Sequence, residues 1–199
     1  MLLLCDLFDE QMEKLRSLNC PWAILSSLQL QKERVLSSMT KVNVQEGNVA
    51  FLPVIPRSYL GVYGLVQLVV FAGSVGYTHI ELAEISDVVR SPNRPYFIFN
   101  VEDGYVFLGK SSKEAGILIE ESARSGLTIA EIISVAIHTD VLSRHNIDAV
   151  GSRCGTNCVP SLYLHENAPR LIQNFMSLKF ENSGAASCGS RGFVMKLAQ

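Results

Sequence analysis

The chain has 199 residues, a formal charge of −2, and 48% hydrophobic against 18% charged residues. That balance builds the core of one globular domain and leaves none of the basic excess that nucleic acid selects. No run of Lys or Arg exceeds two residues, so nucleic acid is excluded as a partner.

The opening Met1-Leu2-Leu3-Leu4 has no basic flank, and Asp6, Asp9 and Glu10 end its apolar run, so it is not read as a signal peptide. Residues 59–76 form the longest apolar stretch. Gln67 and several glycines interrupt it, and it falls short of the roughly 20 apolar residues of a membrane span. The expectation is a cytoplasmic protein with no membrane partner. Cysteines 5, 20, 154, 158 and 188 show no framework spacing and are read as reduced thiols.

Phe8, Met12, Leu15 and Leu18 recur at helical spacing and predict an amphipathic helix over residues 6–18, stopped at Asn19-Cys20-Pro21. Ser26 with Gln29 resembles a capping box and predicts a second helix, so the first forty-odd residues are read as a helical hairpin. Val49 to Ile55 reads as a strand, placed at an edge or bulge because Pro53 cannot donate to a ladder. Residues 60–71 are apolar on every side, and the first half is assigned to helix. Residues 96–108 read as a β-hairpin turning at Asp103-Gly104. Ser111/Glu114 and Thr128/Glu131 cap helices over 112–123 and 129–143. Ala149-Val150 and residues 159–164 read as short strands, and residues 179–192 as loop with a strand embedded. The fold class expected is therefore α+β: a mixed or antiparallel sheet with packed helices, in one domain over 1–199 divided into a helical part, 1–45, and a body, 46–199.

From residue 76 onward an ordered set of landmarks stands out. Pro95-Tyr96-Phe97-Ile98-Phe99-Asn100-Val101-Glu102-Asp103-Gly104 is followed by Leu127-Thr128-Ile129-Ala130-Glu131. Then come Gly151-Ser152-Arg153, Val159-Pro160-Ser161-Leu162-Tyr163 and Ala186-Ser187-Cys188-Gly189-Ser190-Arg191. This order resembles a bacterial family known as a domain of unknown function. The resemblance covers the last two thirds of the chain, implies a bacterial cytoplasmic single-domain protein, and supplies no catalytic residue.

The doubled Gly-Ser-Arg triplet is the clearest candidate site. Glycine-rich loops let backbone N–H groups converge, and serine and arginine add donors suited to phosphate or carboxylate. Arg153, Arg191, Ser152 and Ser190 would form a polar pocket with His138 on the adjoining helix, binding a small anionic ligand or a peptide carboxylate without covalent chemistry. The plainer reading has each guanidinium bonding carbonyls of its own loop. His138 falls in one stripe with Glu131 and Ser134 on an otherwise apolar helix, a stripe that either meets solvent or lines a polar site.

An alternative reading is a hydrolase or transferase with Cys188 as nucleophile and His138 as base. Arg191 and a helix over residues 193–197 would lower the thiol pKa. A third is an interaction module, a homodimer burying part of residues 59–71. Cys154 and Cys158, with Cys188 and His138, His145 or His165, lack the paired spacing of a zinc site, so neither metal nor cofactor is assigned. Tyr96, Phe97, Phe99, Tyr105 and Phe107, without basic residues between them, are read as cross-strand core pairs rather than base-stacking positions.

Overall fold

The computed structural model describes residues 2–81 and 85–192. The first helix, α1 (Leu2–Ser17), buries Phe8, Met12 and Leu15 along one stripe. It ends where Asn19 turns into the left-handed region at φ 56, a conformation asparagine tolerates. Pro21 then starts a helix as well as stopping one. It is the N-cap residue of α2 (Trp22–Gln29), and Ser26 lies inside that helix rather than capping it. A separate helix, α3 (Lys32–Met39), follows, so the expected second helix is two.

Chain order continues with β1 (Val49–Val54), α4 (Arg57–Val66) and the short strands β2 (Val70–Phe71), β3 (Ser74–Val75), β4 (Tyr77–Thr78) and β5 (Ile85–Asp87). Then come β6 (Tyr96–Glu102), α5 (Ser112–Glu121), β7 (Ser125–Gly126) and α6 (Ile129–His138). The last part holds β8 (Asn146–Asp148), β9 (Ser152–Cys154), β10 (Cys158–His165), β11 (Ala168–Phe175), β12 (Ser183–Ala185) and β13 (Ser187–Arg191). No described helix is long and apolar enough to cross a membrane.

One sheet runs β1-β6-β13-β7 and is antiparallel throughout. The other runs β12-β8-β10-β11-β4, with β9 joining β10 to β5; its β12–β8 and β11–β4 pairs are parallel. The fold is α+β. Pro53 sits in β1 opposite Phe97, and β1 is an edge of its sheet, as the missing N–H requires. Helix α6 packs on β1 and β10, and Ile129 to Ile137 are all buried. Phe8, Phe51 and Phe97 meet beside it, with ring centroids 5.5–6.4 Å apart.

Three expectations are corrected here. Residues 105–107 form a 3-10 turn, not the return strand of a hairpin. Both edges of β6 are already taken by β1 and β13, and the Glu102 Oε1 accepts N–H bonds from Gly104 and Val106, curling the chain away. Helix α6 stops at His138, five residues short of the expected end at 143, because Thr139 is extended, at φ −132. The strand expected at Ala149-Val150 is instead Asn146–Asp148.

Two backbone crossings need glycine. A Cβ at Gly184 would collide with the Gly104 carbonyl, and one at Gly151 with the Gly126 carbonyl and Leu127. Gly184→Ala and Gly151→Ala are each expected to cost about 1–3 kcal/mol in urea unfolding, from overpacking against rigid backbone. Gly116→Ala on α5, whose Cβ meets nothing within 4 Å, should instead gain about 0.5–1 kcal/mol. Equal effects at all three positions would show the crossings to be slack.

Candidate functional site

The amino-terminus of α6 carries a complete capping box. Thr128 Oγ1 accepts the Glu131 N–H, and Glu131 Oε2 accepts the Thr128 N–H at 2.7 Å. A residue at this helix position commonly meets solvent, but the Glu131 side chain is 0% exposed. A buried carboxylate has to be compensated by donors and charge. Arg191, at the end of β13, supplies both: Nε donates to Oε1 at 2.7 Å and Nη2 to Oε2 at 2.9 Å. The Tyr96 hydroxyl, from β6, donates to Oε1 at 2.9 Å.

The remaining Arg191 bonds run to the Ser125 hydroxyl and the Gly126 carbonyl of β7. Four of the five guanidinium N–H groups are therefore engaged by the protein. Burial works against the Arg191 charge, but Glu131 outweighs it and the guanidinium pKa rises. Burial, reinforced by Glu131, pushes the Tyr96 phenol well above its ordinary range, so it stays a hydrogen-bond donor.

Arg191 and Tyr96 also border a cleft of about 740 Å³ between α2–α3 and the segment leading into β6. Arg34 of α3 and Arg94 line it as well, and no acidic side chain is among the described residues on its walls. Glu131 neutralises Arg191. Gln31 ties the walls together, its Nε2 donating to the Ser27 and Pro95 carbonyls at 2.9 Å each. Nothing in the pattern around Arg34 or Arg94 marks them in sequence; they come to one cleft through the contact of Gln31 with the Pro95 carbonyl.

The residues singled out from sequence divide among several places. Arg153 donates to the Val150 and Ser152 carbonyls, both at 2.8 Å, and shares no hydrogen-bond partner with Arg191. The Ser152 hydroxyl is fully used, donating to Asp87 Oδ1 at 2.6 Å and accepting the Ile129 N–H at 2.9 Å. Ser190 is half-buried on β13 opposite Phe99.

His138 lies at the far end of α6, lining a different cleft with Gln11 and Lys14 of α1. Burial, with some help from Lys14, lowers its pKa to about 3, so the imidazole is neutral. Glu131 and Ser134 of the same stripe are buried: the Ser134 hydroxyl donates to the Pro53 carbonyl at 2.6 Å.

Cys188 is fully buried in β13, and burial pushes its thiol up to about 12, with Glu131 raising it further against Arg191 and Arg124. It is protonated at neutral pH. The helix expected over 193–197 lies outside the described residues. Cys154 and Cys158 are register partners across β9 and β10, and no cluster of three or more His, Cys, Asp or Glu forms among the described residues.

A second charged group lies at the 3-10 turn. The His145 Nδ1–H donates to the Asn146 carbonyl at 3.0 Å, which leaves Nε2 facing Asp103 Oδ1 at 3.6 Å. Arg144 Nη2 reaches the other Asp103 oxygen at 2.7 Å. Burial alone would lower the His145 pKa, but Asp103 outweighs it and the pKa is raised.

A profile of the family DUF5701, described as a family of unknown function, matches residues 17–193. The chain belongs to that family. No curated protein and no solved structure matches it. The span matched to DUF5701 holds both walls of the arginine cleft and the Glu131–Arg191 pair, and leaves out most of α1.

Two stability effects follow from these geometries. Arg191→Met strands a buried carboxylate and is expected to cost about 3–5 kcal/mol in denaturant unfolding, whereas Arg191→Met with Glu131→Leu should recover much of it. Single and double variants of equal stability would show the pair to be uncoupled. His145, with its folded pKa raised, adds stability that is complete below the unfolded imidazole pKa of about 6.5 and is lost as pH rises through the folded value. Unfolding free energy should therefore fall as pH rises from about 6.5 through the folded pKa in the native chain and stay flatter in His145→Gln; identical profiles would remove the Asp103–His145 contribution.

Proposed function

We propose that this protein binds an anionic ligand, without covalent chemistry, in the cleft lined by Arg34, Arg94 and Arg191. The observation that carries this reading is the convergence of three arginines on one cleft in a chain whose overall charge is negative. A phosphate or carboxylate group is the chemical complement of guanidinium groups gathered on one cleft. Arg191 is the fixed member, held at four N–H groups, and offers its remaining N–H and its positive field. Arg34 and Arg94 are exposed and reach the ligand from opposite walls. Tyr96 and Pro95 present apolar surface between them. The protonated Cys188 thiol and the separately placed, neutral His138 favour binding over nucleophilic catalysis.

Because Arg191 also holds the fold, Arg94 is the residue to substitute. Titration calorimetry of inorganic phosphate and of succinate into the full chain should show saturable binding that weakens about tenfold or more in Arg94→Ala and with rising salt. Unsaturable heats for both anions, or binding indifferent to Arg94, would remove this reading.

A further inference from the structure

Away from the arginine cleft, two thiols face each other on the second sheet. Cys154 ends β9 and Cys158 opens β10, and residues 155–157 turn the chain between them. Gly155 takes that turn at φ 64, in the left-handed region that glycine enters at no steric cost. The reversal makes Cys154 and Cys158 direct register partners of an antiparallel pair. Side chains of such partners lie on one face of the sheet, with Cα atoms about 4.5–5.5 Å apart. Disulfides span Cα separations of about 4.4–6.8 Å, so an S–S bond closes here without parting the strands.

Neighbouring strands hold both cysteines in that register. Cys154 pairs on its other side with Ile85 of β5, and Cys158 with Phe175 of β11. The Asn157 carbonyl in the turn accepts the Met176 N–H at 2.9 Å. The strands β5, β9, β10 and β11 thus fix the meeting of two sulfurs that an unfolded chain leaves free to separate. The other cysteines are placed differently: Cys188 faces Val101 and Ser125, and Cys5 and Cys20 stand toward opposite ends of α1. Access to the pair is one-sided, because Cys158 is half-buried and Cys154 is 2% exposed.

We infer that Cys154 and Cys158 form a reversible dithiol–disulfide site that a peroxide oxidises. The Cys158 sulfur attacks the O–O bond of hydrogen peroxide as its thiolate, becoming a sulfenic acid and releasing hydroxide. The Cys154 sulfur then attacks the Cys158 sulfur. The S–S bond forms, the S–O bond breaks, and a second hydroxide leaves. The two thiol protons convert both hydroxides to water, so the thiols are oxidised to one disulfide and the peroxide is reduced. A dithiol reductant resets the site by exchange at the accessible Cys158 sulfur. The bond fastens β10 to β9, whose Ser152 hydroxyl accepts the Ile129 N–H at the start of α6.

The test is peptide mapping of the full chain after an equimolar dose of hydrogen peroxide and alkylation in denaturant. Trypsin cuts after Arg153 and Arg170, releasing both cysteines in one peptide, residues 154–170. That peptide is expected to be unlabelled and lighter by two hydrogens, and to take two labels after dithiothreitol. Cys154→Ser should leave Cys158 as a sulfenic acid that dimedone traps, and Cys158→Ser should leave Cys154 open to alkylation. In glutathione buffers the folded chain should reach half-oxidation at a reduced-to-oxidised ratio about tenfold higher than the urea-unfolded chain, because the fold holds the sulfurs together.

Three results overturn the inference. If the 154–170 peptide keeps both thiols while peroxide is consumed elsewhere in the chain, this pair is not the reactive one. If Cys158 accumulates as sulfinic acid beside an unreacted Cys154, the strands hold the sulfurs apart. If folded and unfolded chains share one midpoint, the bond owes nothing to the strand register.

Discussion

A carboxylate with no exposure to water sits at the first turn of α6, and the arrangement of the surrounding elements answers to it. Glu131 closes the capping box of its own helix, takes the two-pronged guanidinium of Arg191 from β13, and accepts the hydroxyl of Tyr96 from β6. Removing a carboxylate from water costs several kcal/mol unless charge and hydrogen bonds replace the lost hydration. Those donors come from three different elements, so the helix start, the sheet and the chain's last described strand are positioned together. Ser134 carries the same logic one turn further, fixing α6 to the Pro53 carbonyl of the edge strand β1.

The second sheet is joined to the first by close backbone crossings. Gly151 passes against Gly126 and Leu127, and Gly184 passes against Gly104, each at a separation that excludes a side chain. Asp148, buried between these crossings, accepts hydroxyls from Ser112 of α5 and Ser183 of β12 at 2.8 and 2.9 Å. Polar groups thus serve twice in this protein as fasteners between elements distant in sequence, with every oxygen of the Asp148 and Glu131 carboxylates given a donor.

The cleft depends on this rigidity on one side only. Arg191 and Tyr96 form a fixed base, clamped through Glu131, while Arg34 and Arg94 reach in from exposed positions on elements tied by Gln31. The interior polar groups that look chemically active in isolation, Cys188 and His138, are instead held in neutral forms by burial.

Local chemistry was readable directly from the residues: the capping boxes at Ser111/Glu114 and Thr128/Glu131, the edge position forced on Pro53, and the α+β class itself all depend on neighbours in the chain. The ends of elements were less so. Residues 105–108 have strand composition, but β6 had no free edge to offer them, and α6 stopped five residues before the expected end at 143 because of one extended threonine. The site was the least readable. Arg191 drew notice through its Gly-Ser-Arg setting, yet its partner Glu131 lies 60 positions away, and Arg34 and Arg94 stand in no motif. Sequence by itself determined which helices start where and which faces are apolar, because those follow from spacing along one chain. Which arginine is neutralised, which serine is spent and which thiol is silenced were decided only by tertiary structure, because burial and charge pairing are set by residues brought together from afar.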